Sequence, residues 1–432
     1  MGESAIQRLL TRSFDVGREE APAVVAGFSL LFLLFAGYFM LRPVRETMGI
    51  AGGVDNLQWL FTGTFVATLA AMPLFGWVAG KVRRRRILYW VFGFFASNLV
   101  GFALGMLASP DNLGLARAFY IWLSVFNLIA ISVAWSVLVD VFAVAQAKRL
   151  FGLMAAGASL GGLTGPLLGV FLVGPIGHAG LLLLAAILLV AAAFAAHAVQ
   201  RWGDRHPVDP GSDALRRRPL GGSPFAGATE VLRSPYLLGI AVFVLLLASV
   251  TTFLYFEQAR IVEATFPDPT QQTRVFGIID VVVQSLAILS QLFLTGRIAR
   301  TLGVGVLLVA VPLVVAGGFL WLAFAPTFAV FAVVMVARRA GEYAFVRPGR
   351  EMLYTVVPAE SKYKAKNFND TVVYRGADAV SGWVKAAIDM LAQQPAIAMV
   401  IGAALAVAWG VTGGWLARAH GRRARAVAPD GA

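Results

Sequence analysis

Arg42, Arg45 and Glu46 stand at i, i+3 and i+4 directly after an unbroken apolar run from Val24 to Met40. In a continuing helix the three share one face. Lipid does not accept such a face, because a single charge in hydrocarbon costs about 3 kcal/mol on insertion scales. The three therefore belong against a wet, protein-walled interior. A near-copy, Val346-Arg347-Pro348-Gly349-Arg350-Glu351-Met352, lies far downstream. Guanidinium forks match phosphate and carboxylate bidentately, so two membrane-embedded Arg-Pro-x-Arg-Glu segments point to capture of an anion.

The stretch around the second copy is the most heavily charged apolar segment of the chain, with Arg338, Arg339, Glu342, Arg347, Arg350 and Glu351. At 100° per residue, Arg339, Glu342, Arg347 and Arg350 fall within an arc of roughly 140° and form a stripe. Arg338 is expected to snorkel toward the cytoplasmic end. Glu257 and Arg260 stand at i and i+3 after Phe253-Leu254-Tyr255-Phe256, Asp140 closes another apolar stretch, and Arg375 and Asp378 interrupt a further one. Glu46, Glu257 and Glu342 have two open roles, as partners of neighbouring arginines or as substrate or proton sites. Tyr38, Tyr255, Tyr343 and Tyr374 each stand near one of these charged groups in sequence and could stack a planar base.

These residues need apolar elements to carry them. With 59% hydrophobic and 14% charged residues in 432, the chain is an all-α polytopic membrane protein rather than a soluble one. Spans of about 20 apolar residues number twelve by this criterion, at roughly 22–50, 55–79, 87–108, 117–143, 150–174, 179–200, 235–262, 274–295, 303–323, 326–357, 369–391 and 396–417. They divide into an N-terminal six-helix half (1–200), a cytoplasmic linker (201–233) and a C-terminal six-helix half with a short basic tail (234–432). The chain carries a net charge of +13. Its lysines and arginines gather at Lys81–Arg86, Lys148–Arg149, Arg201–Arg233, Arg297–Arg300, Lys362–Lys366 and Arg418–Arg425, in alternate loops and the tail. That alternation expresses topology rather than nucleic-acid binding, and it places both termini and the linker in the cytoplasm. Residues 1–20 lack the apolar core of a removable signal peptide. Cysteine is absent and the four histidines are scattered, so neither a thiolate nor a histidine metal site is expected, and no cofactor.

The halves repeat one another. Gly76-Trp77-Val78-Ala79-Gly80-Lys81-Val82-Arg83-Arg84-Arg85-Arg86 and Gly296-Arg297-Ile298-Ala299-Arg300-Thr301-Leu302-Gly303 occupy equivalent places between second and third spans. Both resemble the Gly-x-x-x-Asp-Arg-x-Gly-Arg-Arg loop of the major facilitator superfamily, with Gly80 and Arg300 at the aspartate position. A second pair of matching connections runs Ala147-Lys148-Arg149-Leu150-Phe151-Gly152 and Lys362-Tyr363-Lys364-Ala365-Lys366-Asn367-Phe368. The first is followed by glycines at 157, 161 and 165, a spacing that lets helices approach closely. The resemblance implies parallel repeats with a site between them near the midplane, lined by spans one, four, seven and ten.

Taken together, the segments look like the ATP/ADP translocase-type nucleotide transporters of plastids and obligate intracellular bacteria, and closest to their free-standing bacterial relatives. Tyr38 to Met48 resembles that family's first span, with Arg42, Arg45 and Glu46 matching. Ala147 to Gly152, including Lys148, resembles its fourth-to-fifth loop, which places Asp140 at a functional acidic position. Phe266 to Gly277 resembles the loop after span seven, with a critical acid near Tyr255 to Glu257. Lys366, Asp370 and Arg375 fit residues that open its span eleven. Asp378 stands where the family usually has lysine.

The resemblance implies a monomeric secondary transporter in the lipid bilayer of the bacterial inner membrane, exchanging a nucleotide or related phosphate compound. The alternative from the residues is a proton-coupled symporter or exporter of another organic anion or amphipathic solute, with Glu257 or Glu342 carrying the proton. A non-transporting scaffold would not retain the buried charge. No nucleophile–base set or phosphate-binding glycine loop is present, which argues against an enzyme or ATP-driven pump.

Overall fold

Inside a bilayer every backbone N–H and C=O must be satisfied within the segment, and apolar stretches answer by forming helices. The computed structural model describes residues 16–81, 84–206, 225, 227–392 and 395–427. Its long helices are Ala21–Ala51, Leu57–Lys81, Arg84–Ala108, Leu113–Val141, Val144–Arg205, Pro235–Thr265, Pro269–Ser290, Gly303–Phe324, Phe328–Gly341, Tyr374–Ala392 and Pro395–Val427. Among the described residues, nine helices are long and apolar enough to cross a membrane. Two of their starts carry ordinary start signals of sequence. Asn112 accepts from the Leu115 N–H, and Asp268 accepts from the Thr270 and Gln271 N–H groups ahead of Pro269.

Spans five and six form a single run, Val144–Arg205, and the outer loop expected at 175–178 is absent. In its place the chain kinks at Gly177, whose φ of 66° and ψ of −178° lie outside the helical range and suit a residue without a side chain. Span ten begins with Phe328–Gly341, passes through a π-turn at Glu342–Val346 and continues as Arg347–Leu353. Span eleven does the same, from Ala359–Phe368 through a π-turn at Asn369–Val373 into Tyr374–Ala392. Span eight ends in a third π-turn at Gln291–Thr295. The side chains of the basic run at 81–86, residues 1–15 with Arg8 and Arg12, positions 207–224 of the linker, and the end of the tail lie outside the described residues.

Two compact units can be distinguished. One comprises Met1–Thr47, Pro73–Gly221 and Thr273–Val281, and the other Met48–Met72, Gly222–Gln272 and Val282–Ala432. In the first, the glycine row of the Val144–Arg205 helix lies flat on the Ala21–Ala51 helix. A Cβ added at Gly157, Gly161 or Gly165 would stand 2.4 Å from the carbonyl oxygen of Phe28, Phe32 or Ala36 respectively. At the base of the same pair, Glu20 accepts hydrogen bonds from the Gly17 N–H, Gln146 and Arg149 at 2.8–2.9 Å. Burial works against its charge, but these donors outweigh it and hold the carboxyl below its ordinary value. In the second unit Glu230, just ahead of the Pro235–Thr265 helix, accepts from the Ser361 hydroxyl at 3.1 Å. An acid just ahead of the first span thus holds the connection between spans four and five, and one just ahead of the seventh holds the connection between spans ten and eleven.

The close approach gives a direct expectation. Gly161→Ala should lower the yield of monodisperse protein in detergent several-fold, because backbone cannot yield at 2.4 Å. Gly169→Ala should not, since its Cβ would meet the Met40 carbonyl at 3.4 Å. Equal yields on size-exclusion chromatography would show that the two helices separate freely.

Candidate functional site

In the first unit the three charges of span one are anchored by different neighbours. The Arg45 guanidinium lies 3.8 Å from the centroid of the Tyr120 ring, donates from Nε to the Tyr120 carbonyl at 3.2 Å, and pairs with Glu46 at 3.1 Å. Arg42 lies 3.9 Å from Asp280, a buried carboxylate of span eight. Thr47 meets span eight from a neighbouring face of the helix, with its hydroxyl 2.7 Å from that of Thr273, which also contacts His178 at 2.9 Å. Sequence spacing found the arginines but not Asp280, because a lone aspartate in an apolar stretch carries no local sign of its distant partner.

Asp140 and Lys148 do not join this group. Asp140 stands twenty residues beyond Tyr120 on the same helix, about 30 Å at 1.5 Å per residue. Lys148 is exposed at the start of the Val144–Arg205 helix, where its neighbour Arg149 makes the contact to Glu20.

In the second unit the stripe of span ten is narrower than uninterrupted α-geometry allows. Its π-turn inserts one extra residue and rolls the following segment back by about 100°, which brings Arg338, Arg339, Glu342, Arg347 and Arg350 within an arc of about 100°. The roll explains the pairing. Glu342 receives Arg338 Nη1 at 3.0 Å, from one ordinary turn away, and Arg347 Nε at 3.3 Å, at i+5 across the π-turn. Arg338 does not snorkel. Its side chain is 6% exposed and also donates to Thr251 at 2.9 Å, since Glu342 and Thr251 give it partners inside the protein. Arg339 is likewise buried. Arg350 turns to Asp370 at 3.1 Å, and Lys366 to Glu351 at 2.7 Å.

Arg347 differs from the others. Its side chain is 55% exposed, its guanidinium lies 4.4 Å from the Tyr343 ring centroid, and only Nε is engaged by a carboxylate. Its two terminal nitrogens have no hydrogen-bond partner among the described residues. A polar seam continues from here across span seven. Thr251 serves Arg338, the adjacent Thr252 donates to Asp378 at 3.1 Å, and Asp378 lies 3.5 Å from Arg375.

Further along the same two helices lies a cluster with two members that sequence spacing missed. Lys385, with no exposed side-chain surface, donates to Glu257 at 3.1 Å and to both oxygens of Asp389 at 2.6 and 2.7 Å. Arg260 closes the group, 2.6 Å from Asp389 and 3.7 Å from Glu257. Lys385 and Asp389 are an i,i+4 pair in an apolar span, and that spacing was the available signal.

The profile of the Major Facilitator Superfamily matches residues 21–360. Among curated proteins, none matches the sequence significantly. Solved structures similar to this one include a bacterial homologue of the iron transporter ferroportin in an inward-facing state, with 13% identity, a TM-score of 0.61 and coverage of 91% of this chain and 98% of that one. The nucleoside transporter NupG is similar at 14% identity and a TM-score of 0.61, over 92% and 98% of the two chains. The human organic anion transporter MFSD10 (TETRAN) follows at 14% identity and a TM-score of 0.56, over 91% and 99%.

Proposed function

Because the chain belongs to the Major Facilitator Superfamily, and is thus an integral membrane secondary transporter working by alternating access rather than an enzyme, we propose that its cargo is an anionic, phosphorylated solute, most specifically a nucleotide exchanged in the ATP/ADP manner. The proposal includes two parallel six-helix halves, both termini in the cytoplasm, and residence in a bacterial inner membrane. The observation that carries it is Arg347. A guanidinium that is half exposed on a membrane-embedded span, held from one side by Glu342 and from below by Tyr343, offers a pre-oriented pair of donors to an incoming oxyanion. Lipid cannot be its environment, so water and cargo are.

Glu257 and Glu342, the carboxylates a proton-coupled mechanism would use, are each engaged by two cations, Lys385 with Arg260 and Arg338 with Arg347. A carboxylate so engaged is better suited to orienting cations than to releasing and rebinding protons, which favours exchange.

The test is uptake of labelled ATP, ADP and orthophosphate into vesicles holding the purified protein, with and without internal nucleotide. Uptake of a nucleotide accelerated by internal nucleotide is expected, and rates equal to protein-free vesicles for all three would overturn the proposal. Asp378 should tune the choice, because it offsets Arg375 within one helical turn. Asp378→Asn is expected to raise uptake of ATP relative to solutes with fewer charges, and an unchanged ranking would remove Asp378 from the site.

A further inference from the structure

The π-turn of span ten has a chemical consequence for its own backbone. Across Glu342–Val346 the Arg347 N–H bonds to the Glu342 carbonyl, five residues back, and so is diverted from the Tyr343 carbonyl it would serve in an α-helix. The next carbonyl, Ala344, would be served by the N–H of residue 348, and Pro348 has none. Two consecutive carbonyls at membrane depth are therefore deprived of their α-helical donors. A carbonyl left unsatisfied away from water is costly, so something must supply them.

Span eight does so. The Gln291 side-chain amide donates to the Tyr343 carbonyl at 3.0 Å, and the buried Thr295 hydroxyl donates to the Ala344 carbonyl at 2.8 Å. The same hydroxyl also lies 3.0 Å from the Ser290 carbonyl of its own π-turn. Gln291 and Thr295 are one turn apart, and the two carbonyls they meet are adjacent. Gln291 thereby favours the π-turn over a straight helix, in which the Tyr343 carbonyl would already accept the Arg347 N–H, and Thr295 supplies the carbonyl that Pro348 leaves without a donor.

We propose that Gln291 and Thr295 are positioning residues for the span-ten arginines. They hold the extra residue that rolls Arg347 and Arg350 onto the face of Arg339 and Glu342, and without them the Glu342–Arg347 pair, which needs i+5 to stand one turn away, is lost. The proline of the repeated Arg-Pro-x-Arg-Glu segment is then part of the device rather than a tolerated helix breaker. Its first copy, with Pro43, runs through the uninterrupted helix Ala21–Ala51. The consequence for transport rests on Arg347 being a cargo ligand, as proposed above, whereas the consequence for geometry does not.

The chain has no cysteine, which allows a test with both arms. In the geometric arm, Arg347→Cys reports position through its rate of labelling by a membrane-impermeant methanethiosulfonate, and Arg375→Cys on span eleven serves as control. Adding Thr295→Val should change the labelling rate at 347 by about fivefold, the value of one lost hydrogen bond. Thr295→Ser should restore it, and the rate at 375 should stay unchanged. In the transport arm, with Arg347 intact, Thr295→Val should raise the half-saturating nucleotide concentration by about the same factor with little change in maximal rate, and Thr295→Ser should again restore it. Parental labelling at 347 in Thr295→Val would overturn the proposal. So would a change that serine fails to rescue. Failure of nucleotide uptake in the parent, with the labelling change intact, would overturn the cargo assignment and leave the positioning role standing. If Thr295→Val does not fold, Gln291→Leu, at an exposed position, carries the same two readouts, and parental labelling at 347 in that variant would overturn the proposal.

Discussion

Lys385→Met is expected to cost the protein a large part of its stability. The ammonium is fully buried between Glu257 and Asp389, and its removal leaves two carboxylates sharing Arg260, which is a third exposed and already 2.6 Å from Asp389. Breaking a buried ion pair from one side costs about 3–5 kcal/mol, against a total of about 5–15 kcal/mol for a folded domain. Thermal unfolding of purified protein should show a fall of many degrees, or no folded protein at all. Removing one of the stranded charges as well, in Lys385→Met with Glu257→Gln, should recover part of the loss. Unfolding of Lys385→Met at the parental temperature would mean that the network contributes nothing to the fold.

Arg347→Lys is expected to weaken cargo binding by about tenfold or more while leaving stability near the parental value. Lysine keeps the charge but replaces two parallel donors and a planar face over Tyr343 with a point charge on a flexible stem. Because the Arg347 side chain is half exposed, little packing is lost. The half-saturating concentration in vesicle uptake is the measurement, and parental affinity in Arg347→Lys would assign the residue to Glu342 alone. Arg350→Lys should behave differently. Arg350 is mostly buried against Asp370, so its replacement should show first in folded yield and only then in affinity.

What the sequence by itself determined is everything that follows from local geometry and from the solvent. Apolar length gave the membrane helices, and charge at membrane depth identified Arg42, Arg45, Glu257 and the span-ten arginines. Helical spacing anticipated the contacts Arg260–Glu257 and Arg375–Asp378, both i,i+3. Those inferences need only 3.6 residues per turn and the cost of a charge in hydrocarbon.

Only the tertiary structure decided which charges meet across helices. Asp280 reaches Arg42 from span eight and Lys385 reaches Glu257 from span eleven, while Asp140 and Lys148 stand apart from the cluster at Arg45. It also decided that spans five and six join through a kink at Gly177, and that span ten gains a residue in its middle turn. A period of 3.6 cannot foresee that insertion. The π-turn is stabilised by Gln291 and Thr295, donors from another helix, and the rotation that gathers the arginines is therefore set by packing between segments distant in sequence together with Pro348, rather than by the helical period of span ten.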